Sequence, residues 1–159
     1  MIYIGIDPGK NGGICSINST TREIKACKCP ESPSLMAKKL YEYTEETIAK
    51  VTIEKVHSMP GNGVKSMFSF GQNFGQWEGV IGALEGVLNL CPVNYVNPKT
   101  WQNHFGIKGA SKKERKNLFK DLAGVLAPNL KVTLANADAI CIARYSYEKD
   151  MENFDEKIQ

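Results

Sequence analysis

The sequence predicts one α/β domain whose mixed sheet combines an antiparallel meander with parallel strands, and three observations predict it. Residues 2–7 alternate isoleucine with other residues and end in an acid, Asp7, which is the period of a strand with one buried face. Asn11-Gly12-Gly13 is a turn signal, so the chain is expected to return antiparallel. Residues 51–54 (Val-Thr-Ile-Glu) repeat the first pattern after a helix-length segment, which favours a parallel strand reached by a right-handed crossover.

Length and composition fit a single domain with a hydrophobic core. The chain has 159 residues, of which 42% are hydrophobic and 23% charged. We predict a domain over residues 1–150 and a polar, frayed tail over 151–159. No apolar run approaches the roughly 18 residues that span a bilayer, and the N-terminus starts directly with a strand, so we expect no membrane segment and a cytoplasmic location. The five cysteines are scattered and are expected to be free thiols.

The other strands and the first helix follow from turns and caps. Residues 14–18 and 23–29 are predicted as the second and third strands, each bounded by a turn signal. Ser34 is expected to cap a helix that runs to about Lys50 and leads into the fourth strand. A short strand over residues 92–96 completes the predicted five-stranded sheet.

Residues 67–88 predict a long helix with two stripes. Apolar side chains recur there at steps of three and four, at Met67, Phe70, Phe74, Trp77, Ile81, Leu84 and Leu88. Beside them runs a row of glycines, Gly71, Gly75, Gly79, Gly82 and Gly86. Each glycine costs a helix roughly 1 kcal/mol relative to alanine, so the row indicates close approach of another backbone. The sheet is the favoured neighbour, and a symmetric dimer through the other face of this helix is the alternative.

Three further helices have start signals. Asn97 followed by proline opens the first of them. Ser111 opens the second with a capping box, and that helix is expected to run to residue 126. Its inward-facing residues are expected to be Leu118, Leu122, Val125 and Leu126. Asn136 is expected to cap the last helix, over residues 137–147.

Three acids are the candidates for chemistry. Asp7 and Glu54 end two strands predicted to be parallel neighbours, and Asp138 lies in the first turn of the last helix. Each acid also has a structural explanation, since strand ends and helix N-termini favour carboxylates. Together they provide the oxygen ligands that Mg²⁺ prefers, and two such ions about 4 Å apart can hydrolyse a phosphodiester.

The same acids carry a resemblance to a known family. Asp7 in I-G-I-D-P-G, Glu54 in V-T-I-E-K-V and Asp138 in A-D-A-I-C-I-A resemble the three acidic motifs of the RuvC family of Holliday-junction resolvases. N-P-K-T-W and G-x-K-G-x-S-K-K are similar to the corresponding stretch of the phage-type members, which act in bacterial or phage-infected cells. The resemblance spans residues 2–147. It implies an RNase H-like fold with helices on both faces, and a homodimer that nicks a four-way DNA junction symmetrically.

The resemblance also implies a ligand set for Mg²⁺ or Mn²⁺, with two ions per site. Asp7, Glu54 and Asp138 match the family's metal-binding acids. The family usually has a fourth ligand, Asp or His, three residues before the last acid, and Ala135 stands there in this chain. The adjacent Asn136 offers only an amide, which is a weaker ligand than a carboxylate. The second ion therefore lacks one of its usual ligands.

A basic segment is the candidate nucleic-acid contact. Between Val96 and Lys131 there are eight basic residues against two acidic ones, although the net charge of the whole chain is only +3. The proposed phosphate contacts are Lys108, Lys112, Lys113, Arg115 and Lys116. Lys112 and Lys113, at a helix N-terminus, are expected also to steady the scissile phosphate. For Arg115 and Lys116 a solvated helix face is the alternative.

One aromatic residue is a candidate for contact with unstacked bases. Phe68 follows a glycine-rich loop and lies off the apolar stripe, so it could insert at a base step. Phe70 lies on the stripe and is expected in the core. His57 and His104 are expected to be structural rather than metal ligands.

Three alternatives to a junction resolvase were considered; two stay open, and the length of the sequence disfavours the third. A nuclease of the same fold could act on RNA–DNA hybrids or duplex DNA instead of junctions. A non-catalytic junction-binding module is a second alternative, for which Ala135 is the argument. A sugar-kinase or actin type would need a second domain to enclose ATP, which 159 residues do not supply, so no nucleotide cofactor is expected.

Overall fold

A five-stranded mixed sheet forms the centre of the molecule. The computed structural model describes residues 1–44, 47–55, 63–107 and 111–156. The strands are β1 (Ile2–Asp7), β2 (Gly13–Asn18), β3 (Ile24–Lys28), β4 (Ala49–Glu54) and β5 (Asn94–Val96). They lie in the order β3-β2-β1-β4-β5, with β1 antiparallel to β2 and parallel to β4, β3 antiparallel to β2, and β5 parallel to β4. The predicted meander and the predicted parallel pair are confirmed.

Helices cover both faces of this sheet, as predicted. They are α1 (Pro33–Thr44), α2 (Val64–Leu84), α3 (Pro98–His104), α4 (Lys112–Leu126) and α5 (Ala137–Glu156). α1 and α2 enclose one core with the isoleucines of β1, and α3, α4 and α5 enclose a second core on the opposite face. β1 serves both cores, because Ile4 points to the first and Tyr3 to the second.

The first helix is shorter than predicted. α1 ends at Thr44 rather than near Lys50. Ala49 and Lys50 belong instead to β4, where they pair with Ile2 and Tyr3 of β1. Ala49 is fully buried in this pairing. The hydrogen bonds and burial that these residues gain in the central sheet stabilise them more than their local preference for helix would.

The last helix is longer than predicted. α5 continues past Tyr147 to Glu156. An ion pair between Asp150 and Lys50 joins this extension to β4, and Lys149 pairs with Glu152 one turn further on. Charge pairs rather than buried apolar side chains therefore stabilise this extension. The apolar pattern of the sequence did not predict it for that reason. The predicted division of the chain at residue 150 stays a prediction.

The glycine row on α2 does not face the sheet. The apolar stripe does face it, and Trp77 and Ile81 are fully buried. A Cβ atom added at Gly71, Gly75, Gly79, Gly82 or Gly86 would meet nothing within 4 Å in the described part of the chain. The favoured explanation, close approach to the sheet, is therefore wrong. The glycines form an open face of α2 that ends in the exposed side chains of Phe68 and Val87.

The inner face of α4 agrees only in part with the predicted one, since Leu122 and Leu126 pack against the core but Leu118 and Val125 do not. The capping box at Ser111 is confirmed, since its hydroxyl accepts from the Glu114 N–H and its own N–H donates to the Glu114 carboxylate. Phe119 and Ala123 are the buried residues, whereas Leu118 is 44% exposed and Val125 is 77% exposed. Two apolar stripes overlap on this helix, and packing against α5 and Trp101 selects the one through Phe119.

β1 and α5 approach each other so closely that only glycine fits between them. A Cβ atom at Gly5 would lie 2.3 Å from the backbone nitrogen of Ala143 and 2.4 Å from the carbonyl oxygen of Ala139. The alanines of α5 thus allow tight packing against β1. This contact fixes α5 across β1 and brings its first turn to the carboxyl end of that strand.

Within the described residues there is neither a disulfide bond nor a helix that could span a membrane. All five cysteines are free, as predicted. Burial raises the pKa of the Cys15 and Cys141 thiols, so they stay protonated and unreactive. No helix in the described ranges is long and apolar enough to cross a bilayer.

Candidate active site

The three predicted acids line one cleft of about 900 Å³. Ile6 of β1 is paired with Ile53 of β4, so the next residues, Asp7 and Glu54, stand at the same edge of the sheet. Asp138 reaches that edge from the first turn of α5, which lies across β1. All three side chains are half-buried. We call this cleft, defined by Asp7, Glu54 and Asp138, the acidic cleft.

A tight turn holds Asp7 at the cleft. Gly9 adopts a φ of +119°, and its N–H donates to the side-chain oxygen of Asn73 on α2 at 2.7 Å. The ring of Phe70 lies against Gly9, where an added Cβ would be 3.0 Å from it. At Gly12 an added Cβ would lie 2.0 Å from the Asp7 carbonyl oxygen. The turn therefore requires both glycines, and α2 supports it from below.

Burial raises the pKa of all three acids, and charge repulsion adds to the rise at Asp7 and Glu54. Burial raises the pKa of Asp7 well above its usual range, and the carboxylates of Glu54 and Asp138 raise it further, against Lys116. Burial raises the pKa of Glu54 to about 7, with the Trp101 N–H and Lys116 opposing the rise and Asp138 adding to it. Burial also raises the pKa of Asp138, against Lys116 and Arg115.

The donor chemistry fits a hard divalent cation, although the acids do not enclose one. Within the described residues no three His, Cys, Asp or Glu side chains are grouped so that together they could hold a metal ion. Mg²⁺ does not require one, because it is usually held by one or two carboxylates with waters and substrate phosphates supplying the rest. Asp7, Glu54 and Asp138 provide carboxylate oxygens and uncompensated negative charge in a shared cleft. We conclude that the residues fit such an ion as an open site.

The amide next to the last acid is already engaged. Asn136 directly precedes α5, as predicted, but its side-chain oxygen accepts from the Thr133 N–H at 2.7 Å and from the Thr133 hydroxyl at 3.2 Å. Its amide nitrogen donates to the Lys131 carbonyl at 3.3 Å. Asn136 therefore braces the turn before α5 and is not free to replace the ligand missing at Ala135.

Basic residues of α4 line the same cleft, but not all of those predicted. Lys112, Arg115 and Lys116 lie on its wall, and Lys113 is exposed outside it. Lys116 lowers the pKa of all three acids, so it is the base nearest to the centre of the charge cluster. Lys108 lies outside the described residues.

The structure adds cleft residues that the motifs did not reveal. Lys10, which follows β1, and Lys65 of α2 bring positive charge to the cleft from other segments, and Gln102 of α3 joins the wall. Isolated lysines and a glutamine carry no pattern in the sequence, because only the fold brings them to one place. Trp101 of α3 donates its indole N–H to the Glu54 carboxylate at 2.6 Å.

The aromatic and histidine candidates are placed as follows. Phe68 is 72% exposed on α2 and is not part of the cleft wall. Phe70, expected in the core, is half-buried and lines the cleft against Gly9. His104 bonds Glu148 at 2.7 Å and packs edge-on against Phe105, which agrees with a structural role. His57 lies outside the described residues.

The raised pKa of Glu54 predicts how the metal-free protein responds to pH. An unfolded glutamate ionises near pH 4.3, whereas the folded one ionises near 7, so the folded state binds more protons between these values and stability falls as pH rises through them. In EDTA, we expect the melting temperature of the wild type to fall by about 5 °C more than that of Glu54→Gln between pH 5 and 8. Differential scanning fluorimetry checks this, and equal declines in both proteins would contradict it. Adding Mn²⁺ at pH 8 should stabilise the wild type more than the variant.

Comparison with known proteins agrees with this fold. No protein-family model matches the chain, and no curated protein matches it significantly. The structure of Thermus thermophilus RuvC in complex with a Holliday junction substrate is similar, with a TM-score of 0.62 and 13% identity over 95% of this chain and 96% of that chain. A second Thermus thermophilus RuvC structure has a TM-score of 0.58 and 15% identity over 96% and 97% of the two chains. At such identities the similarity concerns the fold. The chain has the RNase H-like α/β fold found in RuvC.

Proposed function

We propose that this protein is a divalent-metal-dependent endonuclease that resolves four-way or branched DNA junctions by phosphodiester hydrolysis. The observation that carries the proposal is the acidic cleft, where Asp7, Glu54 and Asp138 meet beside basic side chains. The fold adds support, since a similar fold occurs in a RuvC solved with a Holliday junction substrate. The motif letters around the acids and the N-P-K-T-W stretch further favour a phage-type member of that family.

In this proposal the acids hold Mg²⁺ or Mn²⁺. Asp7, Glu54 and Asp138 would ligate the ions, two per site, and the ions would activate a water and stabilise the leaving oxygen. Because Ala135 supplies no ligand and Asn136 is engaged elsewhere, the second ion depends more on phosphate oxygens of the substrate. The acids keep the cleft free of tightly bound phosphate until cations are present, because their charges repel it.

The basic residues around the acids would hold the DNA backbone. Lys112, Arg115 and Lys116 form one wall of the cleft. Lys10 and Lys65 belong to the same wall set and lie on other segments. A strand entering the cleft would thus meet basic side chains from α4 and from other segments as well as the three acids. Lys113 and Lys108 remain proposed contacts further along the duplex, and Phe68 a proposed wedge.

Salt dependence tests the backbone contacts. Replacing Lys112 and Arg115 together by alanine is expected to weaken junction binding about 10-fold and to reduce the slope of log affinity against log salt by about 1 to 2. Fluorescence anisotropy with a labelled junction in EDTA measures both quantities. Lys120→Ala is the matched control, since Lys120 is exposed on the same helix outside the cleft. Equal slopes for the double variant and the control would remove these residues from the interface.

We further propose a homodimer, because symmetric resolution needs two sites. The open face of α2 is a candidate interface, because its glycines leave the backbone accessible. Close helix–helix contact is a common reason for a row of glycines. A dimer through this face would use the residues that the sheet leaves uncovered.

A junction-cleavage assay with metal titration tests the proposed function. A labelled four-way junction, a duplex and an RNA–DNA hybrid are incubated with Mg²⁺ or Mn²⁺, and the incisions are mapped on each strand. Paired incisions across the branch point support a dimeric resolvase. Preference for the hybrid or duplex would favour the other nuclease function. Junction binding without any incision would favour a non-catalytic module, for which the open metal shell is the structural argument.

A further inference from the structure

Trp101 is held where it can control one of the three acids. It lies on α3, a short helix that follows β5, and its side chain is fully buried. Its ring packs against Phe119 of α4, with 4.8 Å between the ring centroids. Its indole N–H donates to Oε2 of Glu54 at 2.6 Å. This is the short distance expected when a donor meets an ionised carboxylate.

The hydrogen bond restricts a side chain that would otherwise rotate. Glutamate has several rotatable bonds, and ordering such a side chain costs conformational entropy whenever a ligand requires one rotamer. An indole N–H can only donate, so it favours the carboxylate as an acceptor and occupies one of its oxygens. The other oxygen, Oε1, is left for the cleft that Glu54 lines. Because Trp101 is immobilised by Phe119, the restraint is in place before a ligand arrives.

We propose that Trp101 is a positioning residue that holds Glu54 ready to ligate a divalent cation through its second oxygen. This inference rests on the metal site of the proposed function, and it concerns cation affinity rather than the DNA substrate. Residues that hold a metal ligand by a hydrogen bond typically change metal affinity or activity by 10- to 100-fold when removed. Trp101 would therefore act through Glu54 without touching the substrate.

The chain offers a matched control for the bulk of a buried indole. Trp77 of α2 is also fully buried. Its indole nitrogen has no hydrogen bond of ordinary geometry to the described residues, and it lowers the pKa of the nearby Cys29 thiol. Trp77→Phe therefore loses the same ring area as Trp101→Phe but removes no hydrogen bond to an acid of the cleft.

The test measures Mn²⁺ binding to the DNA-free protein at constant pH. Electron paramagnetic resonance counts free Mn²⁺ during titration of the wild type, Trp101→Phe and Trp77→Phe, and circular dichroism verifies that each protein is folded. We expect the dissociation constant for Mn²⁺ to rise about 10-fold in Trp101→Phe and to stay within twofold of the wild type in Trp77→Phe. Junction affinity in EDTA should be the same for all three proteins.

Equal Mn²⁺ affinity in Trp101→Phe and the wild type would overturn the proposal, and so would equal weakening in both variants. If Trp101→Phe does not fold, substitution of Trp101 by β-(3-benzothienyl)alanine decides, because that side chain keeps the ring outline and replaces the N–H by sulfur. A wild type that binds Mn²⁺ but cuts no junction would refute the proposed function alone, and the Mn²⁺ affinities would still judge Trp101.

Discussion

Asp7→Asn is expected to lower junction cleavage by at least about 1000-fold while leaving junction binding as tight as in the wild type, or tighter. Asparagine keeps the shape of the side chain, so the turn at Gly9 is preserved. It removes the charge that ligates the cation, and Asp7 is the acid whose pKa responds to both other acids. Removing one of three repelling charges also lowers the repulsion of phosphate. Single-turnover cleavage of a labelled junction in Mn²⁺ and a mobility shift in EDTA measure the two effects.

The control for this variant is Asp121→Asn. Asp121 is exposed on α4 and does not line the cleft, so its loss should leave cleavage unchanged. If Asp7→Asn cuts junctions at the wild-type rate, Asp7 has no part in the mechanism. If the wild type binds junctions and never cuts them with either cation, the non-catalytic module replaces the nuclease as the function.

Gly5→Ala is expected to destabilise the fold by about 3 kcal/mol or more, which is large for one added methyl group. The new Cβ would overlap the backbone of α5 at Ala139 and Ala143, and backbone atoms cannot move aside as a side chain does. Either α5 moves away from β1 or the sheet bends. Urea unfolding followed by circular dichroism measures the change in the free energy of unfolding.

A glycine on the open face of α2 provides the contrast. Gly79→Ala adds a methyl group where nothing lies within 4 Å, so it should stabilise the isolated chain by up to about 1 kcal/mol through helix propensity. A Gly5→Ala protein that unfolds at the wild-type urea concentration would refute the close β1–α5 contact. Loss of cleavage in a Gly5→Ala protein that still folds would be expected, because α5 carries Asp138 to the cleft.

The expected effects of Asp7→Asn and Gly5→Ala show that β1 contributes to both stability and function. This strand ends in Asp7, and its fourth residue, Gly5, admits the helix that carries Asp138. The acids are unfavourable for folding when no cation is present, since burial raises the pKa of all three and repulsion adds to the rise at Asp7 and Glu54. The tight glycine contact offsets this by fixing the elements that hold the acids. A metal-free protein with a neutral side chain at residue 7 should therefore be more stable than the wild type.

The sequence alone was sufficient to predict the sheet and to predict that the three acids lie at one cleft. Side chains of a strand alternate between its two faces, so a few neighbouring residues show which face is buried. The same short stretches show that the strands end in Asp7 and Glu54. The rule that such crossovers are right-handed and join parallel strands then predicted that the two strands are parallel neighbours. The Ser111 capping box was also correct, because it depends on residues three positions apart. The predicted cap at Ser34 was wrong, since α1 starts at Pro33 and the Ser32 hydroxyl accepts from the Leu35 N–H.

Only the tertiary structure decided which faces and partners those elements use. α4 has two overlapping apolar stripes, and contact with Trp101 buries Phe119 rather than Leu118. The same packing turns Lys116 into the cleft and leaves Lys113 outside. The hydrogen bond from Trp101 to Glu54 joins residues 47 positions apart, so no local pattern announces it. Periodicity in the sequence shows that one face of an element is apolar or charged. Long-range packing determines which element that face contacts, and this packing exists only in the folded chain.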